Sequence, residues 1–419
     1  MLDLALVGGG ACGLALAHSL HARGRDWRLF EARERLGGRV LTAQSQDGTP
    51  LDLGATWYWP ATQPAMAGLV ADLGLADLAQ VDDGRVLHLA DPNRVPQAVA
   101  LGPDQRPAAD ATAPATSGAV HGGARRLAGG MGALIGALAR PLPPERLRLG
   151  HAALALVDHG EFIELRLQVG ERLQAVHARR VVLALPPRVA ESLLQFTPAL
   201  PAPVQAALRR TPTWMATAAK AGFAYRRPFW REAGLSGNAW VTHAQAMLAE
   251  VFDASGPEGL SSAGALAGFA ALGATQRERF SKGRELLLGS QMAQLFGPQA
   301  VDEALCTGRF WQDWAQERWT CSPADIAEED QPSAAHPAHP GHPAQGEPLL
   351  AEPHWGGKLF FGGSETAHRG CGYLEGALVA AGRLRSQLAP AGIAARPEPL
   401  PRPSAAANDA CAVVPGSSA

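Results

Sequence analysis

The sequence predicts an α/β protein in which a Rossmann-type, dinucleotide-binding domain is interrupted by an α+β domain. Three observations carry this. The first forty residues run from an apolar stretch into Gly8-x-Gly10-x-x-Gly13 and on to an acid, Glu31, at the end of a second apolar stretch. Near the other end, Leu359-Phe360-Phe361 leads into Gly363-Ser364-Glu365-Thr366, and Gly372-Tyr373-Leu374 opens a helix-like stretch. Between them, residues 215–225 alternate with period two, which belongs to a sheet with two distinct faces.

Each element follows in order. Residues 3–7 are, after Asp3, continuously apolar, as a strand buried on both faces requires. Gly8 permits a tight turn, Gly10 lets backbone approach a pyrophosphate, and Gly13 lets the helix over 11–23 pack closely on the strand. Phosphates then face free N–H groups at a helix N-terminus. Glu31 closes the second strand, 28–32, where it accepts hydrogen bonds from a ribose. An amphipathic helix is expected over 64–75. From 77 to 126 the pattern dissolves into Pro, Ala, Asp and Thr, which reads as loops or short strands. A helix follows the turn at Gly129-Gly130-Met131, then strands at 152–157, 161–169 and 181–185. In the alternating stretch, Ala216, Ala218, Lys220, Gly222 and Ala224 share one face, which is small apart from the lysine. A bulky neighbour is expected against that face. A helix is read over 274–296, a strand at 359–361, and a last helix from 373 to 388. Residues 396–419 have the composition of a disordered tail.

Composition narrows the function. At 419 residues the chain has room for two or three domains, and a net charge of −2 with mixed signs argues against nucleic acid or an anionic membrane as partner. Five scattered cysteines fit a reducing compartment rather than a disulfide framework. No apolar run reaches the roughly 18 residues of a membrane helix, and the first strand begins too early for a signal peptide, so the expectation is a soluble cytoplasmic protein. His336, His339 and His342 are each followed by proline. Extended backbone at spacing three scatters their rings, so no metal site is expected.

With these motifs in view, the chain resembles the flavin-dependent amine oxidases of the monoamine oxidase type. The marks are the glycine motif with Glu31, Gly37-Gly38-Arg39, Asp52-Leu-Gly54-Ala55-Thr56-Trp57-Tyr58, Gly129-Gly130-Met131, and Ala184-Leu185-Pro186-Pro187. Further on come Lys220, Trp311-Gln312-Asp313-Trp314, Phe361-Gly362-Gly363-Ser364-Glu365-Thr366 and Gly372-Tyr373-Leu374-Glu375-Gly376-Ala377. The resemblance implies FAD, held by Gly8, Gly10, Gly13 and Glu31 at its adenosine end and by Arg39 at the diphosphate. Gly54, Ala55, Thr56, Gly363, Glu365, Thr366, Tyr373 and Leu374 complete the implied cofactor set. It also implies that Lys220 holds a water near flavin N5 and that Tyr373 forms one wall of an aromatic cage, with Trp319 as candidate for the other.

Two departures matter. A cysteine that carries covalent FAD in some members follows a glycine-containing turn, whereas Cys321 lacks that turn and sits two residues too close to Glu317. The expectation is therefore non-covalent FAD. The family's helical lid of roughly a hundred residues is represented here only by 77–126. A homodimer or partner subunit covering a more open pocket is one expectation from this.

The FAD domain is expected from 1–75, 124–209 and 319–395, and the substrate domain from 76–123 and 210–318. The implied activity is oxidation of an amine C–N bond to an imine, with oxygen as acceptor. Three alternatives stay open: an amino-acid oxidase, which needs an arginine such as Arg226, Arg227 or Arg231 for the substrate carboxylate; a desaturase or dihydronicotinamide oxidase; and a non-catalytic flavoprotein subunit.

Overall fold

In the computed structural model, which describes residues 1–101, 107–108, 120–257, 262–329 and 345–389, the chain builds two eight-stranded sheets. The 396–419 tail and the histidines at 336, 339 and 342 lie outside the described residues.

The first sheet grows from the apolar runs. Leu2–Val7 lies between Trp27–Phe30 and Arg172–Leu183, parallel to both. Leu4, Ala5 and Leu6 are wholly buried, which is why consecutive positions must be apolar. The strand Arg172–Leu183 serves two neighbourhoods. Its first half closes an antiparallel meander with Ile163–Val169 and His151–Asp158. Its second half runs parallel to Leu2–Val7 on one side and to Leu359–Phe361 on the other. The expected strand at 181–185 is only the buried end of this element, because the first half is largely exposed and carries no apolar run.

The register then brings the two ends of the chain together. Val7 pairs with Phe30 and Leu183, and Leu183 pairs with Phe361, so four parallel strands end level. Gly8, Glu31, Ala184 and Gly362 follow directly, which builds a crevice at the carboxyl ends of the strands, where open α/β sheets bind ligands. Helix Ala11–Ala22 packs over this sheet beside helix Leu374–Gln387: Leu14, Ala17 and Leu20 share one apolar cluster with Ala377, Ala380 and Leu384. The buried Glu375 carboxylate accepts hydrogen bonds from the Ala65 and Met66 N–H groups (3.2 and 2.8 Å) and so fixes the start of helix Pro64–Asp72.

The second sheet runs Cys306–Asp313, Ala219–Tyr225, Gly264–Ala270, Leu248–Asp253, Leu235–Val241, Arg85–Leu89, Gln97–Leu101, Pro107–Ala108. Its pairs are antiparallel except Arg85–Leu89 with Leu235–Val241. The alternation at 215–225 forms a strand only from Ala219, because Met215 takes a left-handed φ of 58° in a turn before it. The small-residue face does meet bulk: a Cβ on Gly222 would lie 2.9 Å from Leu51 Cδ2 and 3.4 Å from Leu53 Cδ2. The stretch read as one helix over 274–296 is two, Ala274–Arg279 and Arg284–Phe296, separated by a tight turn at Ser281–Gly283. Glycine there is a poor helix residue. Within 77–127 the described residues form five short strands and no α-helix. No helix among the described residues is long and apolar enough to cross a membrane.

Candidate active site

A cavity of about 460 Å³ opens at the crevice of the first sheet and continues to the second. That is within the range of small-molecule sites, roughly 300–1,000 Å³. Its first end is built by the glycine turn. Gly8 adopts φ 106°, and a Cβ on Gly13 would lie 2.0 Å from Gly8 O, so the helix can approach this strand only without a side chain there. A Cβ on Gly10, in contrast, would meet nothing closer than 4.0 Å. Its absence leaves backbone bare to the cavity at a helix N-terminus that has no side-chain cap, the arrangement that receives a phosphate. Glu31 is buried and held from behind: Oε2 accepts from Gly9 N–H at 2.7 Å and Oε1 from Arg33 N–H at 2.9 Å.

Arg39 and Glu365 meet in the middle of the cavity wall. Arg39 Nη1 lies 2.7 Å from Glu365 Oε1, while its guanidinium also donates to Trp214 O and Ser364 Oγ at 3.0 and 3.2 Å. Burial would raise the Glu365 carboxyl, but the Arg39 charge and the Ser364 hydroxyl hold it below the ordinary range. The Arg39 approach to Oε1 is an ion pair without hydrogen-bond alignment, so this buried oxygen retains acceptor capacity. Helix Leu374–Gln387 starts at Tyr373, again with no side-chain cap, and Tyr373, Leu374 and Ala377 line the cavity.

The second end belongs to Lys220. Its ammonium is buried and donates to Gly54 O at 3.0 Å and to Thr56 Oγ1, and it lies 4.8 Å from the centre of the Phe269 ring. Burial is the main cause that pulls it down to about 8, against Asp52 and Glu250, which favour the charged form. Trp314, from the Trp-Gln-Asp-Trp segment, is a strut here: its Nε1 donates to Leu53 O at 2.9 Å and so holds the segment that carries Gly54 and Thr56. The Tyr373 ring stands 5.9 Å from Trp59 at 67°, and both line the cavity, as does Trp319.

Residues 11–107 and 115–384 match the family model described as flavin containing amine oxidoreductase. The chain belongs to that family. Among curated relatives, a putrescine oxidase of Kocuria rosea is 38% identical over 88 residues, 21% of this chain and 18% of that protein. The flavin-containing amine oxidase B of Homo sapiens is 37% identical over 86 residues, 20% of this chain and 16% of that protein. These matches span less than a fifth of the relatives' length. Solved structures match along nearly the whole chain: a cyclohexylamine oxidase from Brevibacterium oxydans at TM-score 0.69 and 19% identity, and a putrescine oxidase bound to putrescine at 0.68 and 20%. Each match covers 92% of this chain and 98% of the other, so the fold is theirs, a Rossmann-type FAD domain with an α+β companion.

The crevice fits the flavin dinucleotide of this family, by the bare backbone at Gly10 and by the Glu365 oxygen with acceptor capacity further along the wall. Of the residues singled out from sequence, Gly8, Gly10, Glu31, Arg39, Gly54, Ala55, Thr56, Lys220, Trp319, Gly363, Glu365, Tyr373 and Leu374 line this one cavity. Gly13 acts through helix packing instead. Thr366 lies behind the wall, donating to Gly363 O at 2.9 Å and accepting from Arg383. Cys321 does not line the cavity; it is buried, donates to Ser322 O, and burial pushes its thiol up to about 12. Arg226, Arg227 and Arg231 also lie off the cavity, engaged by Ala304 O, Glu232 and Asp253. Sequence reasoning did not single out Trp59, Glu250 or Phe269. Trp59 sits in the aromatic run after Thr56, but nothing local says that it faces Tyr373.

Proposed function

We propose that this protein is an FAD-dependent amine oxidase that converts an amine to an imine and passes the electrons to oxygen. The observation that carries the reading is one continuous cavity. It joins a phosphate-type glycine turn, the Arg39–Glu365 pair and the Tyr373 helix start to a buried lysine among aromatic rings. FAD, when bound, supplies the two-electron acceptor that takes a hydride equivalent from the carbon next to nitrogen and yields it to oxygen as hydrogen peroxide.

The chain's own residues do the positioning. Gly8 and Gly10 with the start of helix Ala11–Ala22 take the pyrophosphate, Glu31 the adenosine ribose, and Arg39 with Glu365 the middle of the cofactor. The start of helix Leu374–Gln387, on the cavity wall, would hold the flavin end, where its dipole would favour negative charge. Tyr373 and Trp59, packed edge to face, and Trp319 on the same cavity offer aromatic surface that orients the amine nitrogen. Two of the three Lys220 hydrogens are taken by Gly54 O and Thr56 Oγ1, and the third serves a water used in reoxidation. The off-cavity Cys321 supports non-covalent FAD. The sheets support a division into an FAD domain, 1–75, 124–209 and 319–395, and a substrate domain, 76–123 and 210–318. A cytoplasmic location and a second subunit over the cavity mouth complete the proposal.

The test is anaerobic addition of a panel of amines to the yellow protein, followed by air and a peroxide assay. Bleaching by an amine, then recovery with stoichiometric peroxide, is expected. A flavin that no amine bleaches would overturn the reading.

A further inference from the structure

Lys220 has a partner that belongs to two cavities. Thr56 Oγ1, which accepts from the Lys220 ammonium, lines the cavity described above and also a second one of about 270 Å³. The second cavity reaches from Asp47 and Gly48, which are exposed, to the buried Asp52, Thr56, Arg126 and Phe252. Lys220 Nζ lies 5.3 Å from the centre of the Phe252 ring, one side chain away from this space. A cavity of that size walled by a carboxylate, a guanidinium and a hydroxyl takes up water. With FAD and an amine in the first cavity, the second is the side from which solvent approaches Lys220.

Three charged groups act on Lys220: Asp52 and Glu250 favour its charge, and Arg126 opposes it. Glu250 lines the first cavity but not the second. Behind it, His121 Nε2 lies 3.7 Å from Glu250 Oε1 and His121 Nδ1 2.7 Å from Asp82 Oδ1, and this line stops at Asp82, which is wholly buried. Arg126 donates to Ala254 O and Ser255 O and keeps its proton at any working pH. Asp52 is the member of the three that both lines the second cavity and can exchange a proton. Its Oδ1 accepts from the Thr42 hydroxyl and, at 2.8 Å, from Met131 N–H. Oδ2 only shares that N–H, at 3.0 Å, which leaves it room for a further donor. Burial raises the Asp52 carboxyl, against Thr42, Met131, Lys220 and Arg126, and burial lowers Lys220, so the gap a proton crosses between them is narrowed.

We propose that the second cavity is the proton route to Lys220, in which Asp52 and Thr56 return to the amine the proton it lends during oxygen reduction. That use rests on the amine-oxidation reading. The transfer balances with no change of oxidation state. Asp52 gives its carboxyl proton to a cavity water, and that water protonates Thr56 Oγ1. The Thr56 hydroxyl hydrogen turns from Gly54 O, 3.2 Å away, to the free lone pair on Lys220 Nζ. Asp52 is left as carboxylate and Lys220 as ammonium, and bulk water entering past Asp47 reprotonates Asp52.

The test is exchange of the Lys220 Nζ hydrogens with solvent, followed by NMR on FAD-loaded protein with lysine-selective ¹⁵N labelling, with no amine present. Each protein is measured one pH unit below its own Lys220 midpoint, so that a purely electrostatic effect of the substitution is divided out. Asp52→Asn should lower the Lys220 midpoint and slow exchange roughly hundredfold, the scale of a positioned acid–base group. Thr56→Val should slow exchange similarly, and Thr56→Ser, which keeps the hydroxyl, should exchange like wild type. Exchange in Asp52→Asn and Thr56→Val equal to wild type would leave Asp52 a structural carboxylate only and overturn the proposal. Should Asp52→Asn fail to fold, the Thr56 pair decides: valine and serine variants that exchange alike refute the route. Because neither amine nor turnover enters the measurement, slowed exchange in a protein whose flavin no amine bleaches would sink the activity reading and leave the route standing.

Discussion

Replacing Lys220 by methionine measures what the buried ammonium costs and whether it titrates in the working range. Burial pulls Lys220 from 10.5 to about 8, and at 1.36 kcal/mol per pKa unit this is about 3 kcal/mol against the charged form in the folded protein. The sign follows from proton counting. Below pH 8 both folded and unfolded chains hold the proton, and the folded state carries the full penalty. Between about pH 8 and 10.5 the unfolded chain holds a proton that the folded one has released, so stability rises with pH. Lys220→Met has no such group, and its stability relative to wild type should drop by about 3 kcal/mol on going from pH 7 to pH 11. The chain has three lysines, Lys220, Lys282 and Lys358, so lysine-selective ¹⁵N labelling resolves them. The Nζ signal lost in the variant should titrate near pH 8. Titration of that signal above pH 10, or a stability difference that does not change with pH, would refute the burial argument.

Gly13→Ala places a Cβ 2.0 Å from Gly8 O, and the shift between helix and turn should cost about 1–3 kcal/mol; purified variant with undiminished flavin content would contradict the packing role. Cys321→Ala should leave flavin content unchanged, and acid precipitation of wild type should release the yellow colour to the supernatant; colour retained in the wild-type pellet but not in the variant's would establish a covalent link. Asp253→Asn strikes a wholly buried carboxylate that accepts from Trp230 Nε1 (2.7 Å), Arg231 Nε (2.8 Å) and Ser255 N–H (2.7 Å). Leaving Arg231 without its counter-charge should cost about 3–5 kcal/mol, read as a lower denaturation midpoint, and a midpoint equal to wild type would show that the network contributes nothing.

The sequence by itself determined the elements whose cause is local. A glycine is required where φ is positive or a Cβ would strike backbone, as at Gly8 and Gly13, and such requirements stand in the chain as residue types at fixed spacing. The apolar strand Leu2–Val7, the acid that follows Phe30 and the uncapped start of the last helix are of the same kind. Only the tertiary structure decided which of these pieces meet. The level ending of Val7, Leu183 and Phe361 sets Gly8 and Gly362 on either side of Ala184 and lets Arg39 reach Glu365. The pairing of Phe269 with both Lys220 and Glu250 puts a lysine and a carboxylate on one cavity wall. Likewise the exposed first half of Arg172–Leu183, the Trp59–Tyr373 contact and the Asp82–His121–Glu250 chain leave no periodic signal. Each depends on strand register and on the order of strands in a sheet, which long-range pairing fixes and local residue preference does not.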